Sequence, residues 1–180
     1  FGGQLTAGFE TNGIRLGLAG GFASGDANPD DSDIKTFSFD PDFNVGIILF
    51  ETSLPTLEAT VMNETNDGRT TEALRVSDGI SNALYLRPRL GYRFHEHATA
   101  DLYLLAANQA KPVEGLEEEN GYGMEIGAHL SYRPMAHVDL SGAAAVFLPG
   151  THFTAYESED LGGQFDQPAL GAQLIASVEF

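Results

Sequence analysis

Five arginines, Arg15, Arg87, Arg89, Arg93 and Arg133, recur at spacings that give them a common direction. In Asn82–Phe94 the cations at 87, 89 and 93 alternate with Leu84, Leu86, Leu90, Tyr92 and Phe94. An extended chain turns successive side chains to opposite faces, so guanidinium groups would line one face of such a strand and apolar groups the other. Glu10, Asp101, Glu125, Asp139 and Glu179 share the polar parity of their own segments, and Gln173 sits among them. Fixed charges around an aqueous passage set its ion preference. The same groups paired between neighbouring strands would instead fix a wall, because an unpaired charge in a narrow low-dielectric space is costly. The spacing suits both chemistries, and the expected pore-lining set is Arg15, Arg87, Arg89, Arg93, Glu125, Arg133, Asp139, Gln173 and Glu179.

Seven segments of period-two alternation must position these residues. Pro168–Phe180 is the cleanest, with Leu170, Ala172, Leu174, Ala176, Val178 and Phe180 on one face. Gly171, Gln173, Ser177 and Glu179 lie opposite, and Ile175 is the exception. The others are Gln4–Glu10, Ile14–Ser24, Asn82–Phe94, Ala98–Ala110, Gly123–Arg133 and His137–Leu148. Strands of about 9–11 residues with one apolar face span a bilayer as part of a closed barrel. No run reaches the roughly 18 consecutive apolar residues of a membrane helix. Cysteine and tryptophan are absent, and alternation over short strands also fits an acidic, soluble β-sandwich.

Connections alternate in length along the chain. Thr11-Asn12-Gly13, His95-Glu96-His97 and Pro134-Met135-Ala136 are tight, and Asn-Gly is a strong hairpin signal. Gly25–Ser81, Lys111–Tyr122 and Pro149–Gln167 are long. Membrane barrels keep short turns on the periplasmic side and long loops outside, and every connection obeys that rule if Phe180 ends on the periplasmic side. An eighth strand at Phe43–Phe50 would break the alternation, and Val45, Ile47, Ile48, Leu49 and Phe50 are apolar on both faces. This run is expected to be a buried helix or packed segment of the first long loop, folded into the barrel mouth as a plug. Single-chain bacterial barrels have even strand counts, so seven strands imply the C-terminal part of a larger barrel lacking an odd number of N-terminal strands. The opening Phe1-Gly2-Gly3 has no charged n-region, as expected of mature or truncated material.

Three features carry a family resemblance. The terminal aromatic Phe180, on the apolar parity of the last segment, resembles the C-terminal signal read by the outer-membrane barrel assembly machinery. Ala23-Ser24-Gly25-Asp26-Ala27-Asn28-Pro29-Asp30-Asp31 followed by Thr36-Phe37 resembles the loop signature of alginate-export-type porins. Phe39–Val45 through Leu49-Phe50, with Asn82–Pro88, is similar to a family of outer-membrane barrels of Gram-negative bacteria. The resemblance implies an all-β antiparallel transmembrane barrel in the outer membrane. It implies no residue-level saccharide site here.

The formal net charge of −17 is concentrated in the long connections, which hold 20 of the 26 acidic residues. That excess disfavours nucleic acid and keeps exposed loops soluble, and it suits a rim facing lipopolysaccharide and divalent cations. Asp26, Asn28, Asp30 and Asp33 crowd oxygen ligands of the kind calcium takes, without the glycine and terminal glutamate of an EF-hand, and mark a candidate calcium loop. His95 and His97 flank Glu96 in a turn with no third metal ligand assignable. His129 and Ser131 have the spacing of a base and a nucleophile on one strand, but both would turn toward the lumen and away from lipid. No catalytic residue and no cofactor beyond loop calcium is expected. The expected function is a channel or porin for small anionic or saccharide solutes; the alternative is a non-conducting barrel that anchors or assembles partners at the surface.

Overall fold

The computed structural model of the chain describes residues 1–26, 35–51, 79–112, 120–154 and 167–179. They contain β1 (Gly2–Thr11), β2 (Ile14–Ala23), β3 (Ala83–His95), β4 (Ala98–Gln109), β5 (Gly121–Met135), β6 (Val138–Pro149), the single-turn helix α1 (Thr151–Thr154) and β7 (Ala169–Val178). The strands form one sheet in chain order, each antiparallel to its neighbour, with β1 and β7 as open edges. The protein is therefore all-β, and each of the seven expected segments lies within two residues of an observed strand.

Local chemistry explains the chain reversals. Asn12 and Gly13 both take positive φ, 49° and 80°, the left-handed pair that matches a two-residue hairpin to the twist of its strands. Register shifts fall near strand ends, at Arg93/His95, Ala107/Asn108 and Tyr132/Met135, where bulges disturb the fewest pairs. Between β3 and β4 the pairing passes from Leu86 with Ala106 to Arg89 with Tyr103, skipping Arg87 and Pro88. Pro88 has no N–H to give. On the apolar face that gap opens a shallow notch of about 370 Å³ among Leu16, Pro88, Leu90, Leu102 and Leu104.

The two faces of the sheet differ sharply. Opposed residues of paired strands point to the same side. On one side Leu5, Leu16, Leu90, Leu102, Ile126, Leu140 and Leu174 are 40–90% exposed, with no described segment covering them. The core lies on the other side, near the ends of the strands that carry the long connections. There Tyr85, Leu105, Ala107, Tyr122, Ala145 and Phe147 pack with Val45, Ile48, Leu49, Phe50 and Phe153. The run Phe43–Phe50 is thus a packed segment, made of turns and bends with no regular helix. It is led in by a bridge between Ser38 and Ser81 and by the Phe39 N–H donating to the Ile80 carbonyl at 3.0 Å.

Candidate functional site

Strand register sets the polar face in rows that cross the sheet. Arg15, Gly91, Asp101, His129, Ala143 and Gln173 share one row. Gly17, Arg89, Tyr103, Gly127, Ala145 and Gly171 form the next, and beyond it come Ala19 with Arg87 and then Leu105, Glu125 and Phe147. Glycines open lateral room within these rows. A Cβ at Gly127 would collide with the Tyr103 ring and one at Gly91 with the Asp101 carboxylate, so both side chains lie flat across the neighbouring strand.

Four of the five arginines reach carboxylates. Arg15 donates to Asp101, whose other oxygen lies 3.8 Å from Arg89 Nε. Arg93 meets Glu10 at 2.9 Å, across the hairpin of β1 and β2. Arg133 grips Asp139 with two parallel bonds of 2.6 and 3.0 Å, the fork geometry that makes guanidinium and carboxylate a well-matched pair. Arg87 differs: its guanidinium stacks 4.2 Å above the Tyr103 ring, and its Nε makes no hydrogen bond among the described residues. One aspartate thus serves two arginines, and a third guanidinium stands two residues further along β3 without a carboxylate partner among the described residues. Gln173 is exposed on the same face, and the Glu179 N–H donates to the His137 carbonyl at 3.0 Å.

Glu125, expected as a lining residue, points to the polar face but is fully buried. The segment Gly46–Leu49 lies over it. Glu125 Oε1 accepts from the Ile47 N–H at 2.7 Å and from the Tyr103 hydroxyl at 2.5 Å. Glu125 Oε2 accepts from the Ile48 and Leu49 N–H groups at 2.9 and 2.6 Å. Three successive backbone N–H groups form an anion cradle, and here a side chain of the protein fills it. The cradle needs Gly46, because a Cβ there would stand 2.8 Å from Glu125 Oε2 and 3.0 Å from Leu105 Cδ2. At its far end Phe50 takes a positive φ of 72°, unfavourable for a bulky residue, and is held by ring contacts to Tyr85 at 6.3 Å and Tyr122 at 5.7 Å. Ile48 lies against Gly171 of β7. The segment is a strap reaching from β3 to β7 across the polar face.

Charge alternation therefore foretold only half of this face. Near the tight turns it is open and polar; near the long connections Tyr85, Leu105 and Phe147 occupy the same parity and share one core with the strap. The signal was present in those three apolar residues at inward positions and in the two-sided apolarity of Phe43–Phe50. Beside the strap, α1 places His152 under the rim, its Nδ1 2.9 Å from Gln109 Nε2 and its ring edge-on to Tyr122 at 4.9 Å. Burial pushes the imidazole down to about 4, so it is neutral at physiological pH.

Of the candidate calcium loop, Asp26 accepts from the Lys35 N–H at 3.2 Å, while Asn28, Asp30 and Asp33 lie outside the described residues, as does Phe180. The His95 and His97 rings are 5.6 Å apart and His97 Nε2 is 3.3 Å from Glu96. Among the described residues no three His, Cys, Asp or Glu side chains converge on a metal site. His129 and Ser131 stand on the polar face opposite Asp101 and Thr99 of β4. Comparison with protein-family models, curated proteins and solved structures finds no significant match.

Proposed function

We propose that these seven strands belong to a closed transmembrane β-barrel of a Gram-negative outer membrane, and that the barrel is a channel for small solutes of anionic or saccharide character. The observation that carries this reading is the asymmetry of the sheet: a continuous exposed apolar face on one side, paired charges and a packed strap on the other. A soluble sandwich would cover that apolar face with a second layer. A patch extending over all seven strands exceeds what a soluble monomer leaves bare, whereas hydrocarbon would cover it without a protein partner.

Closure requires strands that join β1 to β7, from the same protein or from another chain, because open sheet edges are not stable against lipid. The long connections then face outward toward lipopolysaccharide. Inside, Arg87, which meets no carboxylate among the described residues, and Arg89, which shares Asp101, give this wall a local cationic excess, which favours anions. The complete protein reconstituted in a planar bilayer should pass discrete ionic currents with anion preference. A second reading is favoured by the strap itself: a lumen sealed at its outer end would make the barrel a surface anchor, and the complete protein would then insert without conducting.

A further inference from the structure

We propose that Glu125 is the latch of the strap: its carboxylate, by gathering the N–H groups of Ile47, Ile48 and Leu49, holds Gly46–Leu49 across the polar face and so sets the width of the passage. Three observations carry this. First, Glu125 is fully buried, and a buried carboxylate persists only where donors replace its hydration. It has four such donors, three from the strap and the fourth from Tyr103 of the neighbouring β4.

Second, the strap crosses the sheet without entering its ladder. It forms no helix and joins no strand, so Glu125 supplies the acceptors that its three N–H groups would otherwise take from water. Third, the apolar contacts around it are non-directional. Ile48, Leu49 and Phe50 gain from burial in any of several placements, whereas three bonds to one carboxylate fix a single register. Loss of the latch leaves the wall itself paired through its strands, so the strap, and not the sheet, should respond.

The consequence for permeation rests on the channel reading above; the docking of the strap does not. The chain contains no cysteine, and with any cysteine elsewhere in the complete protein replaced by serine, one introduced thiol reports one site. Val45 is 5% exposed beneath the strap's packing, and Val45→Cys in the complete protein, inserted in the outer membrane of a Gram-negative host, is probed with a membrane-impermeant maleimide. With Glu125 intact, labelling should be slow. With Glu125→Gln, which keeps the shape and replaces an acceptor by a donor, it should rise by about ten-fold or more, and Glu125→Ala should match it. Labelling that stays at the parental rate in the Glu125→Gln protein overturns the latch.

Conductance and the size cut-off for neutral sugars are measured on the same variants without the Val45 change. Larger conductance and a wider cut-off, returned to the parental values by an Ile48→Cys/Gly171→Cys crosslink, support both readings. Faster labelling with no current in any variant keeps the latch and refutes the channel.

Discussion

Leu174→Arg separates a membrane wall from a soluble sheet more sharply than any other single substitution in this structure. Leu174 sits midway along β7, opposite Gly142, and is 90% exposed, so the protein itself loses almost no packing when it is replaced. In water such a substitution should change stability by no more than about 0.5 kcal/mol. Facing hydrocarbon near the bilayer midplane, an arginine should cost about 2–4 kcal/mol, a shift of roughly 30-fold to 900-fold in the folding equilibrium. Gln173, its chain neighbour, points to the open half of the polar face in the row of His129 and Asp101, and Gln173→Arg should be tolerated. The assay is urea unfolding of the complete protein in lipid vesicles, followed by tyrosine fluorescence and by gel migration of the folded form. A Leu174→Arg protein within about 0.5 kcal/mol of its parent would refute the membrane assignment of this face. Equal damage from both substitutions would mean that the polar face is dry and packed along its whole length.

Other outcomes follow from the same geometry. Replacing Arg87, Arg89 and Arg93 together with glutamine removes three positive charges from the polar face; the reversal potential of the conducting protein should move toward cation preference, and the shift should shrink as salt shortens the screening length. Selectivity unchanged by all three would remove these residues from permeation. His152 is held neutral with its proton affinity lowered to about 4 from an ordinary 6.5, so the unfolded state binds the extra proton between those values. The stability of the α1 docking should be complete above pH 6.5 and decline by up to about 3 kcal/mol as pH falls toward 4. Hydrogen exchange at the Phe153 N–H, bonded to the Gly150 carbonyl at 3.1 Å, would report it, and His152→Leu should abolish the acid dependence. Protease added to intact cells should cut within Gly25–Ser81 or Lys111–Tyr122 and spare His95–His97; cleavage at the histidine turn alone would reverse the topology.

The seven-stranded sheet was legible in the sequence because a strand's two faces repeat every second residue. Leu84, Leu86, Leu90 and Tyr92 against Arg87, Arg89 and Arg93 marked both the strand and its two faces, and Asn12-Gly13 marked a turn. The pairing partners were not legible. That one Asp101 serves Arg15 and Arg89 depends on register across three strands and on a glycine at 91 that lets the carboxylate lie sideways. Nor did alternation reveal that Glu125 is covered, because a carboxylate at inward parity looks the same whether it faces water or three backbone N–H groups 76–78 residues away. Tyr85, Leu105 and Phe147 broke the polar pattern of that face, and all three belong to the core that also holds the strap.

The strap also orders events in time. Apart from β2 and β3, neighbouring strands are joined by connections of at most about 20 residues, and three of the hairpins close through two-residue turns. Pairings of that kind form early, because closing a short loop sacrifices little chain entropy. The strap must instead find a carboxylate on β5 and a tyrosine on β4, neither of which presents its side chain in place until the sheet spanning them exists. Wall assembly is therefore expected to precede sealing, with the strap docking last onto strands that are already paired.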